Sequence, residues 1–116
     1  MAEALIYDTF SGKSVIGEEE KFKEHIKKLN EELQKRTELS MNDIYEEINK
    51  DLPDGMKLGR HPLCDDVYLG FDYLEFEHNS DYKPITLECT KIKELPLMTL
   101  KFDMSKIKYE DKYEDL

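Results

Sequence analysis

The chain has 116 residues, with 27 acidic against 17 basic side chains, a net charge of −10 and 39% apolar residues. A chain of this size is one domain and can bury a core without disulfides or metal. The charge disfavours direct nucleic-acid binding and docking on anionic membranes, because phosphate contacts need clustered Lys and Arg.

The opening MAEALIYDTF has neither the basic start nor the long apolar run of a signal peptide. No apolar run approaches the ~20 residues of a membrane helix. The expected compartment is the cytoplasm, and there Cys64 and Cys89 are free thiols.

ALIYDTF and KSVIG, separated by a Ser-Gly turn pair, read as a β-hairpin ending at Gly17. Residues 18–36 read as a helix. Phe22, Ile26, Leu29 and Leu33 recur at one-face spacing, acids occupy the first turn, and Lys35 and Arg36 the last. His25 lies on this helix and is assigned no role. TELS breaks the pattern. Ser40 is a good N-cap with Asp43 three residues on, so a second helix is expected at about 41–52, stopped by Pro53-Asp54-Gly55. Met41, Ile44, Tyr45, Ile48 and Leu52 form its buried stripe, with Asp43, Glu46 and Glu47 opposite.

From Asp66 onward the period becomes two. DVYLGFDYLEFEH reads as a central strand with Val67, Leu69, Phe71 and Tyr73 on one face. ITLECTKI places Ile85, Leu87 and Cys89 inward, and LMTLKFDMS places Met98, Leu100, Phe102 and Met104 inward. The expected fold is α+β: a hairpin, two helices, then three strands, with the helices on one face of an antiparallel or mixed sheet. Residues 1–105 form the domain, and 106–116 read as an acidic, flexible tail.

GRHPLCDD (59–66) is the stretch richest in chemistry. As a nucleophile Cys64 has His61 three residues away, but Asp65 and Asp66 would raise its thiol pKa. As a zinc set, His61 and Cys64 have a usable gap, whereas His78 and Cys89 do not. Adjacent aspartates on a strand point to opposite faces, so they do not make a shared acid-base pair. The favoured reading is a bend into the next strand: Gly59 permits it, Pro62 keeps it extended, and Cys64 fills space. No phosphate-binding, dinucleotide, hydrolase-elbow or zinc-protease motif occurs. Neither catalytic residues nor a metal or cofactor is assigned.

The negative charge is concentrated. Residues 37–55 carry a net −5 and residues 67–81 a net −4. The second window is also aromatic, with Tyr68, Phe71, Tyr73 and Phe76, and Tyr82 just beyond. Tyrosine beside carboxylates suits docking on a basic groove. The expected function is therefore a small acidic protein-binding module, most concretely an immunity or inhibitor protein that neutralises a basic partner such as a toxin nuclease domain. The candidate contact residues are Asp43, Glu46, Glu47, Asp65, Asp66, Asp72, Glu75, Glu77, Asp81 and Tyr82. The alternatives are a nucleic-acid mimic that blocks a DNA- or RNA-binding enzyme, an enzyme built on the His61/Cys64 loop, and a subunit whose acidity serves solubility only.

Overall fold

In the computed structural model, which describes residues 2–59 and 66–109, the expected N-terminal hairpin forms from β1 (Glu3–Asp8) and β2 (Ser14–Glu18). The strands pair antiparallel, with Leu5 opposite Ile16 and Tyr7 opposite Ser14. α1 (Glu19–Arg36) follows directly and buries Phe22, Ile26, Leu29 and Leu33. It ends at Thr37, whose backbone N–H donates to the Leu33 carbonyl from a positive φ of 72°.

β3 (Glu38–Ser40) occupies the break expected between the helices, and α2 (Met41–Ile48) starts from Ser40. The Ser40 hydroxyl accepts from the Asp43 N–H, satisfying one of the donors left open at a helix start. A 3-10 turn at Asn49–Asp51 completes the expected helical span.

The expected strand over 66–78 is corrected. β4 stops at Gly70 (Val67–Gly70), and α3 (Tyr73–His78) takes the rest. Asp72 is the reason: its carboxylate accepts from the Glu75 N–H and caps a new helix. The aromatic alternation that suggested a strand comes from a cluster. The buried Phe71 ring has Tyr73, Tyr82 and Phe76 rings around it, with centroids 4.7, 5.3 and 5.5 Å away.

β5 (Ile85–Ile92) and β6 (Leu95–Phe102) form a long hairpin whose outer half leaves the core. Met98, Leu100 and Phe102 point inward as expected. Cys89, expected inward, is exposed on this outer strand, although Met98 opposite it on β6 is fully buried. Met104, also expected inward, is 60% exposed on a 3-10 turn that Asp103 caps by accepting from the Ser105 N–H. β7 (Ile107–Tyr109) lies inside the segment expected as tail; residues 110–116 lie outside the described residues.

The strands form two sheets rather than the single expected one. The larger is mixed, in the order β2-β1-β6-β5, with β1 and β6 parallel and the other pairs antiparallel. The smaller is antiparallel, β3-β4-β7, with β4 central as expected for this region. α1 packs against β2 and β5 of one sheet, β3 of the other, and α2. One apolar cluster joins the layers, from Ala4 and Ile6 through Leu33 and Ile44 to Leu69 and Leu100.

Asp8, at the end of β1, is fully buried in this cluster. Its carboxyl oxygens accept from the Phe10 N–H (3.0 Å), the Ser11 hydroxyl (2.7 Å) and the Tyr45 hydroxyl (2.6 Å). The side chain thus closes the β1–β2 turn and ties it to α2. Tyr45 in turn lies against Gly59, which has a φ of 69°. A β-carbon there would sit 2.4 Å from the Tyr45 ring. Gly59 takes the left-handed conformation that glycine allows and leaves room for a ring; the expected bend through residues 60–65 lies outside the described residues.

Two stability predictions follow from this contact chain. Tyr45→Phe removes one partner from a buried acid and is expected to cost about 1–3 kcal/mol in urea unfolding. Gly59→Ala meets both a ring clash and a left-handed backbone, and is expected to cost about 2 kcal/mol or more. A near-neutral outcome for either would show that the β1–β2 turn and α2 are not coupled through Tyr45.

Candidate functional site

The expected contact residues fall into three groups. Asp43 and Glu46 are exposed on α2. Glu75, Glu77 and Asp81 are exposed on α3 and the connection after it. The others are engaged within the fold or lie in or beside residues 60–65, outside the described residues.

Glu47 was expected on the outer face of α2 with Asp43 and Glu46. It is instead only 11% exposed and sits at the centre of an ion-pair network with α1. Lys28 Nζ (3.1 Å) and Lys50 Nζ (2.9 Å) donate to Oε1, and His25 Nδ1 lies 2.6 Å from Oε2. The other His25 nitrogen lies 2.6 Å from Asp51. His25, given no role from sequence, is therefore the bridge between α1 and the end of α2. The signal that could have found it is the position of His25 on α1 next to the buried Phe22–Ile26 stripe, which turns it toward whatever packs there. Partial burial acts to raise the Glu47 pKa, but the hydrogen bonds from Lys50, Lys28 and His25 outweigh it and lower it from 4.5 to about 2.

Asp72 and Tyr82 also serve the fold. Asp72 caps α3, and its other oxygen lies 3.6 Å from Lys106 Nζ. Tyr82 packs on Phe71 and donates its hydroxyl to Asp103 at 2.7 Å. Burial and the adjacent Asp103 carboxylate push the Tyr82 phenol well above its ordinary value. Asp103 itself, despite burial, is lowered by hydrogen bonds from Ser105 and Tyr82. Asp66 is half-buried ahead of β4. Asp65, with Arg60, His61, Pro62 and Cys64, lies outside the described residues.

What remains for a partner is concentrated on α3. Its six residues contain no buried side chain. Leu74 is 71% exposed and Tyr73 43% exposed, beside Glu75 and Glu77. The helix is held from beneath by the Phe71 cluster, and the Tyr73 hydroxyl donates to the Gln34 carbonyl at the end of α1. An apolar side chain, a tyrosine and two acids are thus presented on an anchored platform. α2, with Asp43 and Glu46, rests on α1, β3 and β4. The two acidic windows are thus carried by different parts of the scaffold.

Among the described residues, no group of three or more His, Cys, Asp or Glu side chains is arranged to hold a metal ion. His78 and Cys89 are both exposed, on α3 and β5. Among the described residues, no helix is long and apolar enough to cross a membrane.

The lowered Glu47 pKa gives a signed prediction. Its contribution to stability is fully present above about pH 4.5 and is lost as pH falls towards about 2. Glu47→Gln is expected to cost about 1 kcal/mol at pH 7. Urea unfolding of wild type and variant across pH 2–7 should show that difference closing as the pH falls through this window. A difference independent of pH would mean that packing, rather than charge, holds the network.

Comparison with known protein families finds no matching model, and comparisons with curated proteins and with solved structures find no match.

Proposed function

We propose that the chain is a non-catalytic binding module that docks on a basic protein partner through α3, most concretely as an immunity or inhibitor protein against a toxin nuclease domain. The observation that carries this reading is the exposure of Tyr73 and Leu74 beside Glu75 and Glu77 on a helix that the Phe71 cluster and the Asp72 cap hold in place. A solvent-facing leucine on a fixed element is a contact anchor, since interface energy is concentrated in a few apolar or aromatic side chains with charged residues around them. The surrounding carboxylates set the sign of the partner and speed encounter with it. Asp81 extends this surface, and Asp43 and Glu46 offer a separate acidic contact for a partner large enough to reach both.

The test is capture from the native host at low and high salt, comparing wild type with a Leu74→Ala/Glu75→Lys/Glu77→Lys variant. The expected result is a stoichiometric basic protein retained by wild type at low salt and released at high salt. Its affinity for the variant should fall tenfold or more. A protein retained equally by both forms, or none retained, sinks the reading. Competition by added DNA or RNA would move the conclusion to nucleic-acid mimicry.

A further inference from the structure

Away from α3, a groove of about 320 Å³ runs between α1 and β5. Its lining mixes Ile26, Ile85 and Leu87 with Lys27, Lys83 and Thr86, and of the three apolar side chains only Leu87 is partly exposed. β5 is an outer strand of the larger sheet, so one of its edges has no strand neighbour.

The backbone pattern says which groups that edge offers. Ile85 directs both its N–H and its carbonyl away from β6, to the side chain of Asn30: its N–H donates to Oδ1 at 3.0 Å and its carbonyl accepts from Nδ2 at 2.9 Å. Pro84, one residue earlier, turns its carbonyl the other way, to the Asp103 N–H. In an antiparallel pair this alternation continues along the strand. Thr86, Glu88 and Thr90 therefore face β6, and Leu87, Cys89 and Lys91 present N–H and carbonyl groups outward. No described residue bonds to these outward groups. The Asn30 amide makes at Ile85 the two-point contact that a neighbouring strand would make, and the next three rungs are open.

The charge at the groove is equally specific. Lys21, Lys23 and Lys28 on α1 each have a carboxylate partner, at 3.1, 3.0 and 3.1 Å. Lys27 and Lys83 have none among the described residues, in a chain with ten excess negative charges. Unpaired cations beside open strand rungs and the partly exposed Leu87 select an extended, acidic segment with alternating apolar residues.

We propose that β5 is a second binding site, at which an acidic extended segment of a partner protein adds to the larger sheet as a fifth strand. The backbone of that segment pairs with Leu87, Cys89 and Lys91, an apolar side chain meets the partly exposed Leu87, and its carboxylates meet Lys27 and Lys83. The rungs from Leu87 to Lys91 span about 14 Å, which calls for a segment of about five or six residues. This site uses none of Leu74, Glu75 and Glu77 and takes a ligand of opposite charge.

A random dodecapeptide display library, selected on the full chain and counter-selected on a Lys27→Glu/Lys83→Glu variant, provides the probe. Both lysines are exposed, and circular dichroism checks that the variant keeps its fold. The expected product is an acidic peptide with alternating apolar residues. Fluorescence anisotropy should show its affinity falling at least tenfold on the double variant. A similar fall is expected when alternate peptide nitrogens are methylated, which removes the ladder but keeps the side chains. The Leu74→Ala/Glu75→Lys/Glu77→Lys variant should bind it as wild type does. The proposal is overturned if no peptide survives counter-selection, if N-methylation leaves binding unchanged, or if binding is lost with the α3 variant instead.

Discussion

The buried carboxyl group of Asp8 is the constraint around which the rest is arranged. An acid taken fully out of water must recover its hydrogen bonds inside the protein, or the chain does not fold around it. Asp8 recovers them from the backbone and hydroxyl of its own turn and from Tyr45 on α2. Satisfying that single group fixes the β1–β2 turn, the position of α2 above it and, through the Tyr45 ring, the approach of Gly59. Gly59 is tied to the same turn directly, since its carbonyl accepts from Lys13 Nζ at 2.8 Å.

Charge is divided by the same scaffold. On one side of α1, Lys28 and Lys50 neutralise Glu47, and His25 bridges Glu47 to Asp51, so two of the six acids of residues 37–55 hold α2 and the turn after it against α1. On α3, Glu75 and Glu77 have no such partners among the described residues and follow an exposed leucine. Along β5, cations outlast the available acids. A chain with one net sign presents two surfaces of different character because ion pairing is settled by which elements touch.

Much of the fold was legible in the sequence. The Phe22-Ile26-Leu29-Leu33 stripe, the Ser40 cap and the alternation of Met98, Leu100 and Phe102 are local patterns, and each appears in the structure as read. The misreading at residues 71–77 had a local answer too: Asp72 precedes Glu75 by three residues, a helix-start signature equal to that of Ser40 and Asp43. It was outweighed by an aromatic period of two that reflects ring clustering around Phe71. β3 and β7 had no readable signal. Three residues carry too little pattern, and their identity as strands comes from pairing with β4, which lies about 30–40 residues away in the chain.

From its sequence alone, the protein is an acidic α+β domain with two amphipathic helices and a set of alternating strands, because helix caps and hydrophobic periods depend on near neighbours. Tertiary structure alone decided that Glu47 is spent within the fold, that Leu74 is offered to solvent, that Cys89 lies beyond the core and that the outer edge of β5 stays open beside unpaired lysines. Each of these depends on which element comes to rest against a given side chain, and that contact is fixed by the packing of segments far apart in the chain.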